Sequence, residues 1–110
     1  MKKIFVSIPP KYGITENEAR AYILQIEQLA LKAEKMLDQY LEIANLEYSF
    51  LTEKKPIEDC TKGFIFNCLY KLCTADFAAF SKDWQMSKEC RILRSIAAEF
   101  DIPILDIDET

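Results

Sequence analysis

The densest run of chemically capable side chains is Asp83-Trp84-Gln85-Met86-Ser87-Lys88-Glu89-Cys90-Arg91. Helical periodicity follows Ser87, so this run joins the end of a strand to the start of a helix. Backbone N–H groups at a helix N-terminus can hold an anion. Ser87 adds a hydroxyl, and Lys82 and Lys88 add positive charge. Glu89 acts against this, because a carboxylate in the first turn repels phosphate. The plain alternative is a capped helix with solvated lysines. Trp84, the single tryptophan, can stack on a base or sugar or cover the sheet edge, and the packing role takes precedence. Ser7, at the end of an apolar run, offers a hydroxyl to a ligand or simply closes a strand.

The remaining composition excludes more chemistry than it suggests. Fourteen Lys and Arg against eighteen Asp and Glu give a net charge of −4, which argues against a broad basic face for nucleic acid. The chain has no histidine, so serine–histidine and cysteine–histidine pairs are absent and the commonest metal ligand is missing. Cys60, Cys68, Cys73 and Cys90 form no C-x-x-C pair. They read as reduced, buried, apolar residues of a cytosolic protein, with no metal site. Gly13 and Gly63 are the only glycines. A glycine-rich dinucleotide loop and a P-loop are therefore absent, and no cofactor is expected. Met1-Lys2-Lys3 precedes only three apolar residues, whereas a secretory signal needs about 7–15 and a membrane span about 20. The expectation is a soluble, cytoplasmic protein that engages no membrane.

The 110 residues fit one domain. Lys2 to Ile8 reads as a buried strand broken by Pro9-Pro10. Thr15 and Glu18 have capping-box spacing, and apolar residues from Ala19 to Leu37 recur with helical period, predicting a helix to about Gln39 or Tyr40. Glu16, Glu18, Glu27 and Glu34 are expected to face water. Residues 41–46 either hold a second short strand or extend the helix. A further helix, capped by Asp59 or Thr61, runs to about Cys73. Asp76 to Phe80 is a strand, Ser87 caps a last helix through Phe100, and Pro103 to Leu105 is a final strand. An acidic tail occupies residues 105–110. Alternation of this kind implies a small, doubly wound α/β domain with a mostly parallel sheet of four to five strands and helices on both faces. Ligands in such sheets bind beyond the strand C-termini at the topological switch point. That rule selects Ser7 to Pro10, Asn45-Leu46, and Ser81 through Glu89.

The chain resembles the nucleoside 2-deoxyribosyltransferase-like superfamily, and within it the small DUF4406-type domains of phages and bacteria. The residues that carry the resemblance are Lys3 to Pro9 (opening strand and ligand loop), Ile43-Ala44-Asn45, Cys73 to Phe80, and then Asp83-Trp84, Ser87, Cys90-Arg91-Ile92, Ala97 and Ile102-Pro103-Ile104. This last stretch follows the pattern W-x-x-S-x-G-C-R-x-E-x-x-x-A. The resemblance implies cleavage or transfer of the N-glycosidic bond of deoxynucleosides or their monophosphates. It assigns the attack to a glutamate on the last helix and the proton assistance to an aspartate on the preceding one. It also implies a homodimer. In this sequence Leu93 stands at the glutamate position, Cys68 at the aspartate position and Glu89 at the glycine before Cys90.

The reading is therefore a catalytically degraded deoxyribosyltransferase-like domain. It would bind a nucleoside or nucleotide in a cleft formed by Ser7, Pro9, Asn45, Trp84, Ser87 and Glu89. One alternative is an active N-glycosidase or transferase using Glu89, which lies one helical turn before Leu93 on the same face. The other is a non-catalytic interaction domain.

Overall fold

The computed structural model describes residues 1–107. Its chain order is β1 (Lys2–Ser7), α1 (Glu16–Leu37), β2 (Leu41–Ile43), α2 (Ile57–Cys73), β3 (Phe77–Phe80), α3 (Lys88–Glu99) and β4 (Ile104–Asp106), with short 3₁₀ turns at Ser49–Leu51 and Trp84–Met86. The four strands form one parallel sheet in the order β2-β1-β3-β4. The chain steps outward from β1 to β2, then crosses back to β3 and continues to β4. The switch point therefore lies between the ends of β1 and β3.

Helix boundaries follow from local chemistry. The Thr15 hydroxyl accepts the Glu18 N–H, while the Glu18 carboxylate accepts the Thr15 N–H. This completes the capping box, and the two bonds hold the Glu18 carboxyl below its ordinary pKa. The helix stops at Leu37, short of the predicted end, because Asp38 turns left-handed (φ 52°). Glu34 does not simply face water, since its carboxylate accepts the Leu41 N–H at 2.8 Å and steers the chain into β2. Residues 41–43 take the strand option. In α2 neither Asp59 nor Thr61 is the cap. Pro56 supplies the preset φ at the N-cap, and Glu58 and Asp59 lie in the first turn, where acidic charge suits the helix dipole. Ser87 caps α3 as expected, its hydroxyl accepting the Cys90 N–H. The C-terminal expectation needs correction as well. Leu105 and Asp106 belong to β4, and Ile107 is buried. The rest of the expected acidic tail lies outside the described residues.

Alternate residues of β1 serve opposite faces. Ile4, Val6 and Ile8 pack with Ile26, Leu29, Ala30 and Ala33 of α1. Phe5 packs with Phe64, Cys68 and Leu72 of α2 and with Cys90, Leu93 and Ala97 of α3. Two helices thus cover one face, and a single helix covers the other.

β2 is too short to pair the whole of β1. Its register ends at Ile4 opposite Ile43, and Ala44 N–H donates to the Ile4 carbonyl. The Asn45 carboxamide then acts as one more strand residue, its oxygen accepting the Val6 N–H at 3.0 Å and its NH₂ donating to the Val6 carbonyl at 2.7 Å. Both groups are buried, so Asn45→Ala strands them without partners. The expected cost is about 2–4 kcal/mol, read as a lower urea midpoint with an unchanged slope. A loss within experimental error would mean that the clamp contributes nothing.

Candidate functional site

The residues selected from sequence do not converge on one cleft. Asn45 spends both polar groups on β1, as described. Ser7 is fully buried and its hydroxyl donates to the Cys90 thiol at 3.2 Å. Trp84 takes the packing role, lying against the α2–α3 core with the Arg94 guanidinium stacked over its ring at 4.2 Å. Arg94 in turn is held by Asp106 through bonds of 2.8 and 3.2 Å. Leu93 and Cys68, the positions where the resemblance asks for carboxylates, are packed in the apolar core. Burial pushes the Cys68 thiol up to about 12, and burial also raises the Cys90 thiol. Neither sulfur is a ready nucleophile. Cys73 departs from the expectation for the cysteines, being exposed, whereas Cys60 joins Cys68 and Cys90 as buried.

Two polar arrangements do form at the C-terminal end of the sheet. In the first, three hydroxyls surround Glu89. Tyr12, from the β1–α1 loop, donates to Oε2 at 2.5 Å, and Thr61 of α2 donates to the same oxygen at 3.3 Å. Ser87 is 3.4 Å from Oε1. Gly13 has φ 66°, a conformation that favours glycine and turns the loop immediately after Tyr12. Burial, with the Glu89 bond and charge beside it, pushes the Tyr12 phenol well above its ordinary pKa. Tyr12 therefore remains an O–H donor. Sequence reasoning placed Glu89 but missed Tyr12 and Thr61, which no local pattern connects to it.

The second arrangement is the switch-point cleft itself, of about 570 Å³. One wall is Ile8-Pro9 beyond β1, and another is Ser81 and Asp83 beyond β3. The flank of α1 closes it with Gln25, Leu29, Lys32 and Lys35. Ser81 is only 3% exposed. Among the described residues its hydroxyl is the buried side-chain polar atom without a hydrogen-bond partner. Pro9 is the predicted site residue that lines this cleft, and Ser81 fell within a segment the switch-point rule selects. The α1 residues carry no separate signal, since polar residues on a helix read as a solvated face. Among the described residues no group of three or more Cys, Asp or Glu is placed to hold a metal ion, and no helix is long and apolar enough to cross a membrane.

No protein-family model, curated protein or solved structure matches this chain.

The buried thiols and phenols make a pH prediction. Tyr22 donates to the Ile8 carbonyl at 2.8 Å, and burial raises its pKa as it does for Tyr12. Each of these groups ionises more readily in the unfolded chain, where thiols titrate near 9.0 and phenols near 10.0. Stability is therefore complete below about pH 9 and falls as pH rises toward 12, because the unfolded state then binds fewer protons. Urea titrations in reductant at successive alkaline pH values should show a steadily falling midpoint above pH 9. A midpoint that stays flat through pH 11 would contradict the burial of these groups.

Proposed function

We propose that this protein is a deoxyribosyltransferase-like domain that binds a nucleoside or nucleotide in the switch-point cleft and does not turn over its N-glycosidic bond. The observation that carries the reading is the buried, unpartnered Ser81 hydroxyl on the wall of that cleft. An unpaired buried hydroxyl costs free energy, and a ligand hydroxyl or phosphate oxygen would offset that cost. The lining supports the same ligand class. Ile8, Pro9 and Leu29 offer apolar contact to a base or sugar, Gln25 and Gln28 offer amides to base edges, and Lys35 offers charge to a phosphate. The volume lies within the range of about 300–1,000 Å³ usual for small-molecule sites. Against turnover stand Leu93 and Cys68, whose packed positions leave the carboxylate pair of glycosidic-bond chemistry unformed.

A second reading rests on the three hydroxyls around Glu89, which resemble the positioning of an attacking carboxylate. It makes the protein an active N-glycosidase or transferase using Glu89.

Titration with deoxynucleosides and deoxynucleoside monophosphates, followed by melting and by chromatography for free base, separates these readings. The expected result is a saturable rise in melting temperature with no base released. Ser81→Ala should weaken binding about tenfold, equivalent to one hydrogen bond, without destabilising the free protein. Lys35→Glu should weaken nucleotides more than nucleosides. No shift with any compound at millimolar concentration would sink the binding proposal. Base release abolished by Glu89→Gln, with binding retained, would establish the second reading.

A further inference from the structure

We propose that the groove between α2 and α3 binds a single-chain fatty acid, with the carboxylate between Lys62 and Lys88 and the hydrocarbon chain along Ile65, Leu69 and Ile92. This groove is separate from the switch-point cleft, and the proposal is independent of what that cleft holds.

The order of polar and apolar residues along the groove points to this ligand. Each of the two helices leads from one parallel strand to the next, so α2 and α3 run in the same direction. The Thr61 hydroxyl donates to Glu89, which sets the first turn of α3 beside the second turn of α2. Lys88 therefore lies level with Lys62. Ile92, one turn further along α3, lies level with the stretch from Ile65 to Leu69. All five line one groove of about 720 Å³, within the range of about 300–1,000 Å³ usual for small-molecule sites. One end of it is cationic and the other apolar.

Neither end is satisfied within the chain. Among the described residues Lys62 and Lys88 have no ion-pair or hydrogen-bond partner. Two ammonium groups at one end of a groove repel each other, in a chain whose net charge is −4. An anion between them removes that repulsion and accepts charge-assisted hydrogen bonds from both. At the other end Ile65 and Ile92 are half-buried, while Phe66 and Leu69 are exposed. Hydrocarbon laid over them leaves water at a gain in free energy.

The same lining decides against an extended peptide. Past Lys62 the groove is lined by Ile65, Phe66, Leu69 and Ile92, none of which offers a hydrogen bond. Backbone N–H and carbonyl groups laid there would find no side-chain partner, whereas an alkyl chain has no polar group to satisfy. Glu58 stands one turn before Lys62 on the same side of α2 and also lines the groove. Its carboxylate opposes an anion, so the polar end suits a ligand with one negative charge rather than several.

Calorimetric titration of the full chain with dodecanoate, kept below its micelle concentration, tests the proposal. The expected result is saturable one-to-one binding. Octanoate should bind at least tenfold more weakly, because it covers less of the apolar lining. The double substitution Lys62→Glu and Lys88→Glu should weaken dodecanoate at least tenfold while leaving the far-ultraviolet circular dichroism and melting temperature of the free protein unchanged. Glu58→Gln should act in the opposite direction and tighten binding about threefold. Absence of saturable dodecanoate binding overturns the proposal, whatever else this groove accepts. Binding that survives the double substitution overturns it too, as does dodecyltrimethylammonium binding as tightly as dodecanoate.

Discussion

Everything in this molecule takes its position from the two edges of β1. Ile4 to Ser7 are buried, and a strand buried on both faces must have each N–H and carbonyl paired. One edge runs out of partners where β2 ends, and the Asn45 side chain completes it. The other edge is closed by β3, whose exit is tied to the exit of β1 by the Ser81 N–H donating to the Ser7 carbonyl. That bond fixes the two walls of the switch-point cleft relative to each other. They cannot separate without unpairing the most buried strand of the sheet.

The same strand divides the molecule into unequal halves. On the side of Phe5 and Ser7, two helices meet the sheet and fill it. Cys68 and Leu93 belong to that filling, and a carboxylate at either position would have to be buried among Phe5, Phe64 and Leu72 without compensation. On the side of Val6 and Ile8, only α1 covers four strands. A groove beside α1 is the direct consequence, and the polar residues on its flank line that groove. The side where the resemblance places chemistry is closed by packing, whereas the side left open by helix count holds the unpartnered hydroxyl.

Features decided by short-range chemistry were legible in the sequence. Thr15 with Glu18, and Ser87 before α3, announce helix starts because a cap is satisfied within three residues. The alternation of strands and helices, and hence the parallel sheet, follows from hydrophobic period. Boundaries were less legible, because Asp38 ends α1 by a backbone conformation that aspartate adopts only sometimes. Pro56 opens α2 without the side-chain cap that reading by analogy expects. Site residues were least legible. Asn45 at a strand end looks the same whether it binds a ligand or a neighbouring strand. Tyr12 and Thr61 reach Glu89 across 77 and 28 residues of sequence, a pairing set by topology alone.

The Glu89 carboxylate holds three segments of the chain together. Its Oε2 accepts from both Tyr12 and Thr61, and all three of its partners are neutral hydroxyls. The bonds join the β1–α1 loop, α2 and the first turn of α3. Removing the carboxylate would release three segments at once, which is sufficient reason for its position. Attack on an anomeric carbon asks for something different, namely a lone pair aimed at open space and a second carboxyl at a set distance. Oε2 is occupied, and Oε1 has only the long Ser87 contact to aim it. Attack geometry is sensitive to displacements of about 1 Å, and Glu89 begins its helix one turn, roughly 5 Å, before the position the resemblance specifies. The arrangement is that of a tie between elements, set on the face of β1 opposite the switch-point cleft.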